Sequence, residues 1–155
     1  MVLPLFIKKS TWSAWSLPIL RLVTGLVLIT HGFPKLFGSA TAKAGLILFF
    51  QSTVLPAPSV MVVVAGILEC VGGLLLILGL FTAYTTAVLA LEFIVIILFV
   101  ELMKGFGAME LDLFVLASLF VLNAQGSGEM SVDAMMVKND KGLSNGGQGN
   151  EAMGG

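Results

Sequence analysis

Four apolar segments dominate this sequence, and each is about as long as a helix that crosses a lipid bilayer. Only 11% of the residues are charged, whereas soluble domains carry about 25%, and the mean hydropathy is +1.04. A span needs about 20 predominantly apolar residues. The sequence therefore predicts an all-α fold, a bundle of four transmembrane helices over residues 17–33, 60–80, 83–102 and 108–124.

The segments outside the four spans differ in character. Residues 1–16 form a leader, and Pro34 predicts the end of the first span or a kink in it. Residues 44–50 are apolar but too short to cross a bilayer, which predicts a short interfacial helix between spans 1 and 2. Gly, Ser, Asn and charged residues dominate residues 125–155, so we expect a largely disordered cytoplasmic tail.

The distribution of lysines gives the bundle an orientation. Four spans place both termini on one side of the membrane, and the lysines on that side are Lys8, Lys9, Lys138 and Lys141. The lysines on the opposite side are Lys35, Lys43 and Lys104. Because basic residues concentrate on the cytoplasmic side of membrane proteins, this pattern favours cytoplasmic termini.

Several classes of protein are excluded by the residues that the sequence lacks. Cys70 is the only cysteine, so no internal disulfide and no CxxC motif can form. His31 is the only histidine, which excludes haem held by two histidines of one chain. No basic run indicates nucleic-acid binding. The sequence predicts no metal site and no intrinsic redox cofactor, and it leaves a membrane quinone open as a ligand.

Ionisable residues inside the predicted spans are the candidates for function. A charge at mid-bilayer costs at least a few kcal/mol, and by default it marks a functional site or a buried pair. We interpret four residues as catalytic candidates: His31, Glu69, Glu92 and Asp112. Four further residues are candidates for ligand binding: Arg21, Lys35, Glu101 and Glu110.

Helix geometry arranges these residues in two layers. Arg21 and His31 lie roughly 15 Å apart along the first span, at a rise of about 1.5 Å per residue. We expect Arg21 to reach Glu69 or Glu92 at mid-depth, and we expect His31 and Lys35 to face three acidic residues, Glu101, Glu110 and Asp112. Structural interpretations stay open as well: Arg21 can extend to the interface, His31 can cap the first span, and the acidic residues can be paired or solvated.

Small residues predict where the first two spans pack. Gly66, Glu69, Cys70 and Gly73 share one stripe of the second span at about 100° per residue. Gly25 and Gly32 mark a similar stripe on the first span. Small residues let helices approach closely in lipid, so we expect these faces to meet and Glu69 to point into the bundle.

Two motifs together resemble the DoxX family of small bacterial membrane proteins. The first is Arg21-Leu22-x-x-Gly25 with His31-Gly32-x-x-Lys35-Leu36-x-Gly38, and the second begins Glu69-x-x-Gly72-Gly73. Glu110-Leu111, Gly126-Ser127-Gly128 and Ser131-Val132-Asp133 resemble the family's C-terminal pattern. The resemblance covers residues 17–133. It departs from the family at Glu101 and Lys104, where a histidine or another polar group often ends span three, and at Val132, where leucine is usual.

This resemblance implies a four-helix bundle in the bacterial inner membrane, and it leaves three functions open. The first is a quinone- or thiol-redox-linked oxidoreductase subunit that works with a redox partner protein. The second is a proton-coupled small-molecule carrier, which would have to form a homo-oligomer because no inverted repeat is visible. The third is a non-catalytic membrane partner or anchor that docks another protein through residues 46–50.

Overall fold

The computed structural model describes residues 11–51, 56–128 and 130–139. The helices are α1 (Thr11–Phe37), α2 (Ala40–Gln51), α3 (Pro58–Leu78), α4 (Thr82–Ile96), α5 (Phe106–Gln125) and α6 (residues 132–139). A π-helical turn, Ile97–Glu101, and a 3-10 turn, Leu102–Lys104, follow α4 directly. The described residues contain no strand, and the all-α prediction is confirmed.

Within the described residues, four helices are long and apolar enough to cross a membrane, as predicted. They are Trp15–Phe37, Pro58–Leu78, Thr82–Glu101 and Phe106–Gln125, with the shorter apolar α2 between the first two. The first span continues beyond its predicted end at residue 33, because α1 runs through Pro34 to Phe37. The backbone N–H of Gly38 donates to the carbonyl of Pro34 and closes this last turn.

The bundle is a ring in which α1 packs on α3, α3 on α4, α4 on α5, and α5 on α1. Its core is a cluster of buried aliphatic and aromatic side chains: Leu28, Leu76, Leu89, Ala90, Phe93, Val115, Leu119 and Leu122. Large apolar side chains such as Leu22, Val63 and Leu74 are exposed on the outer surface. This surface suits contact with lipid, where an apolar exterior carries no penalty.

The contact between α1 and α3 is made by glycines, as the stripes predict. A Cβ atom on Gly25 would lie 2.6 Å from the carbonyl oxygen of Gly73, and one on Gly73 would lie 2.7 Å from that of Gly25. A Cβ atom on Gly32 would lie 2.8 Å from Sγ of Cys70 and 2.9 Å from Cβ of Glu69. The backbones of α1 and α3 therefore touch, which places His31 and Lys35 next to Glu69.

The first part of the segment predicted to be a tail packs back on the bundle. The Ser131 hydroxyl accepts from the N–H of Ala134 and caps α6. The backbone N–H of Asp133 donates to the carbonyl of Gly79, between α3 and α4. Residues 126–128 and 130–139 are thus part of the fold, while the predicted leader residues 1–10 and tail residues 140–155 lie outside the described residues.

Candidate functional site

A cavity of about 190 Å³ lies inside the bundle, at the end where α1 finishes and α5 begins. Five of the eight candidate residues line it: His31, Lys35, Glu69, Glu101 and Asp112. The other walls are apolar side chains from α1, α2, α4, the π-helical turn and α5: Val27, Leu28, Leu46, Phe49, Phe50, Phe93, Ile96, Val100, Leu111 and Val115. His31, Lys35, Glu101 and Asp112 were predicted to face one another, and the fold brings these four together. It adds Glu69 to the same cavity.

Lys35 and Glu69 form an ion pair on the cavity wall. The Nζ of Lys35 donates to Oε1 of Glu69 at 2.5 Å, and the two side chains are 14% and 3% exposed. Oε2 of Glu69 is buried and has no hydrogen-bond partner among the described residues. Lys35 faces the cavity that Glu101 and Asp112 also line, as predicted. Its ion pair with Glu69 was not predicted, because Glu69 was expected to pair with Arg21; the glycine contact between α1 and α3 brings Lys35 to Glu69 instead.

The carboxyl groups of Glu101 and Asp112 lie close enough to each other to share a hydrogen bond. Such a bond needs a hydrogen on one of the two groups, because an ionised carboxylate only accepts. Glu101 reaches this position at the last residue of the π-helical turn, a feature that is common at functional sites. The pair can therefore share one proton within the membrane-spanning part of the protein.

The orientation of the His31 ring is fixed by its own helix. Nδ1 lies 2.7 Å from the carbonyl oxygen of Val27. Because a carbonyl oxygen only accepts, Nδ1 carries the hydrogen, and the Nε2 atom of the neutral ring is an acceptor. When the ring is protonated, Nε2 becomes a donor. The open interpretation that His31 caps the first span does not describe this contact, since the ring bonds to the backbone carbonyl of Val27 within α1.

The helix α2 covers the cavity with its apolar face. Leu46, Phe49 and Phe50 have the spacing of one helix face and line the cavity together. Lys104, just after the third span, lies over the ring of Phe49, a favourable cation–π contact. Partial loss of solvent around its ammonium group lowers the pKa of Lys104. The negative charge of Glu101 acts in the opposite direction and raises it. Sequence reasoning missed these aromatic residues, although their spacing was visible.

Glu92 and Glu110 do not line this cavity. Glu92 lies in an apolar groove between α3 and α4, and Glu110 is exposed on α5. The prediction that Glu110 faces His31 and Lys35 is wrong, because only Asp112, two residues further along the helix, turns inward. Among the described residues, no group of three or more His, Cys, Asp or Glu side chains is arranged to hold a metal ion.

Arg21 lies at the opposite end of the bundle. Its guanidinium donates to the carbonyls of Ser127 at 2.5 Å and Met130 at 3.0 Å, and the residue is only 2% exposed. The prediction that Arg21 reaches Glu69 or Glu92 is wrong, because the chain after α5 returns to α1 and supplies carbonyls within closer reach. Arg21 is therefore a structural residue that holds Ser127 and Met130 against α1.

Asp133 completes this structural end of the protein. Its Oδ1 accepts from the N–H of Phe81 at 2.8 Å, and its Oδ2 accepts from the N–H and the hydroxyl of Thr82. These bonds cap the first turn of α4 from another segment of the chain. Burial alone would raise the pKa of Asp133, but the bonds from Thr82 and Phe81 and the charge of Arg21 lower it below its ordinary value.

Comparison with known proteins agrees with the motifs. The family model described as DoxX matches residues 16–102. A protein of Bacillus subtilis (strain 168) named "Putative oxidoreductase CatD" is 34% identical over 124 residues, which are 79% of this chain and 88% of the relative. No solved structure matches the chain. Since the family model covers more than half of the sequence and the relative is matched over most of its length, the chain belongs to the DoxX family.

Proposed function

We propose that this protein is the quinone-binding membrane subunit of an oxidoreductase, and that the cavity between α1 and α5 holds the quinone ring. One observation carries the proposal. The cavity combines two separate proton-exchanging groups, His31 Nε2 and the Glu101–Asp112 pair, with apolar walls inside a membrane-spanning bundle. A quinone ring has two oxygens, and each exchanges one proton when the ring is reduced or oxidised.

The cavity is large enough for the ring of a quinone but not for the isoprenoid chain attached to it. Pockets for whole drug-sized ligands occupy about 300–1,000 Å³, and this one occupies about 190 Å³. A single substituted ring is small enough for that space, while an isoprenoid chain is too long and has to lie outside it. The ammonium of Lys35 places a positive charge beside the ring, which favours the uptake of electrons.

The reaction balances only with a redox partner. Reduction of a quinone to a quinol takes two electrons and two protons. The sequence has no flavin, haem or iron–sulfur motif, so the electrons come from a partner protein. One proton comes from the Glu101–Asp112 pair and the other from the protonated ring of His31. The name of the Bacillus subtilis relative, which calls that protein an oxidoreductase, supports the same class of reaction.

This proposal includes a location. A quinone pool is found in the bacterial inner membrane, and the lysine distribution favours cytoplasmic termini. The cavity would then open toward the outer side of that membrane. Protease digestion of a C-terminal tag tests this orientation. We expect the tag to be digested in inverted vesicles and to be protected in intact spheroplasts.

Native purification tests the proposal. Wild-type protein and Glu110→Gln, a control at an exposed carboxyl, are purified in mild detergent from a quinone-containing bacterium, and bound quinone is identified in solvent extracts. We expect bound quinone in both preparations and an absorbance change on chemical reduction. His31→Ala and Asp112→Asn should retain much less bound quinone than these two preparations. Protein without quinone, or equal amounts in all four preparations, contradicts the proposal.

A further inference from the structure

A second cavity lies between α3 and α4, separate from the site described above. It is a groove of about 220 Å³ with an almost wholly apolar lining. Val64, Val88 and Leu91 line it and are exposed on the outer surface of the bundle. Since the outer surface of this bundle faces lipid, the groove opens sideways into the bilayer.

Glu92 is the only ionisable residue among the described residues that line this groove. It lies near the middle of the span Thr82–Glu101. Both of its carboxyl oxygens are buried and have no hydrogen-bond partner in the described part of the chain. An unpaired carboxylate in such surroundings is far more costly than the neutral acid, so the group keeps its proton and offers an unused hydrogen-bond donor.

We propose that the groove is a lateral binding site for an apolar carbonyl compound dissolved in the bilayer, and that Glu92 donates its proton in a hydrogen bond to the carbonyl oxygen of that compound. The lining selects an apolar molecule, and the unpaired carboxyl selects one that carries an acceptor. A hydrocarbon gains nothing from Glu92, whereas an alkylated quinone satisfies both conditions.

The groove adjoins the polar cavity. Phe50 of α2 and Ile96 of α4 line both spaces, so these two side chains lie between them. A ring that is first bound at Glu92 reaches His31 and the Glu101–Asp112 pair by passing Phe50 and Ile96, and its chain then occupies the groove. This route rests on the proposed function, whereas binding at Glu92 does not.

A lipid-soluble carbodiimide tests the binding site. The acid adds across the carbodiimide, its proton moves to a nitrogen, and acyl migration leaves a stable N-acylurea without a leaving group. The full-length protein in lipid vesicles is treated with dicyclohexylcarbodiimide and mapped by peptide mass spectrometry. We expect a label on Glu92, none at that peptide in Glu92→Gln, and an unchanged label in the Glu110→Gln control. An unlabelled Glu92 overturns the proposal.

Competition identifies the ligand chemistry. We expect a decyl-substituted benzoquinone to prevent most of the labelling of Glu92 and the same concentration of n-decane to leave it unchanged. Equal protection by both compounds, or by neither, overturns the proposal. The test is repeated in Asp112→Asn, where protection should persist. If quinone never co-purifies with the wild type while Glu92 is still labelled and protected, the proposed function fails and the lateral site stands.

Discussion

Lys35 on α1 and Glu69 on α3 form a mostly buried ion pair in which Nζ and Oε1 lie 2.5 Å apart. The pair exists because the glycine faces of α1 and α3 touch, which brings the end of the first span against the middle of the second. It links the packing of the bundle to the wall of the candidate site. Its two charges face the same cavity as His31 and Asp112.

Glu69→Gln should destabilise the protein and abolish quinone binding in the cavity that Glu69 lines. The substitution leaves Lys35 without its counter-charge at a site that is mostly buried, and breaking a buried pair costs about 3–5 kcal/mol. The measurement is thermal unfolding in detergent, with bound quinone measured on the same sample. The double variant Lys35→Met/Glu69→Gln should regain most of the stability without regaining quinone. A double variant as unstable as the single one would show that the pair is not the source of the loss.

Asp112→Asn should leave the bundle stable but remove the shared proton. The amide of asparagine can donate to Glu101, so the hydrogen bond between the two side chains is kept. The infrared carbonyl band of a protonated carboxyl group should weaken in the variant by comparison with the wild type. Glu110→Gln, at an exposed position on the same helix, should leave the band unchanged. An identical band in Asp112→Asn would mean that this pair holds no proton.

The number of spans, the short helix between the first two and the glycine contact could all be predicted from the sequence. These features depend on local hydropathy and helix periodicity, which a single chain displays directly. The inward direction of Glu69 followed from the same periodicity, because Gly66 and Gly73 mark the face that packs on α1.

The partners of the charged residues could not be predicted in the same way. Arg21 bonds to carbonyls of Ser127 and Met130, more than one hundred residues away, and no local pattern shows that the chain returns there. Glu110 and Asp112 lie two residues apart, yet only Asp112 faces the cavity, because the rotation of α5 is set by its packing on α1 and α4. The resemblance to the DoxX family included Asp133 in a motif, but its capping role became evident only from the fold.

Gly73→Ala should destabilise the protein more than an ordinary surface change. The added Cβ would lie 2.7 Å from the carbonyl oxygen of Gly25, so α1 and α3 have to separate, at a cost of about 1–3 kcal/mol for overpacking. Gly45→Ala is the matched control, because nothing lies within 4 Å of its Cβ position. That control should be neutral or stabilising by about 0.5–1 kcal/mol. Both are measured by thermal unfolding, and a neutral Gly73→Ala would contradict the close contact.

Asp133→Asn should destabilise the protein at neutral pH and lose this effect in acid. The carboxylate caps α4 through Phe81 and Thr82, and loss of a cap costs about 0.5–2 kcal/mol. The folded pKa of Asp133 lies below its ordinary value of 3.8, so its contribution is fully present above about pH 4 and is lost as the pH falls through the folded pKa. The difference in unfolding temperature between wild type and variant should therefore shrink as the pH is lowered from 7 to below 3.8. The control is Ser131→Ala, which removes the uncharged cap of α6 and should lower the unfolding temperature by the same amount at both pH values. A pH-independent effect of Asp133→Asn would show that the charge of Asp133 does not stabilise α4.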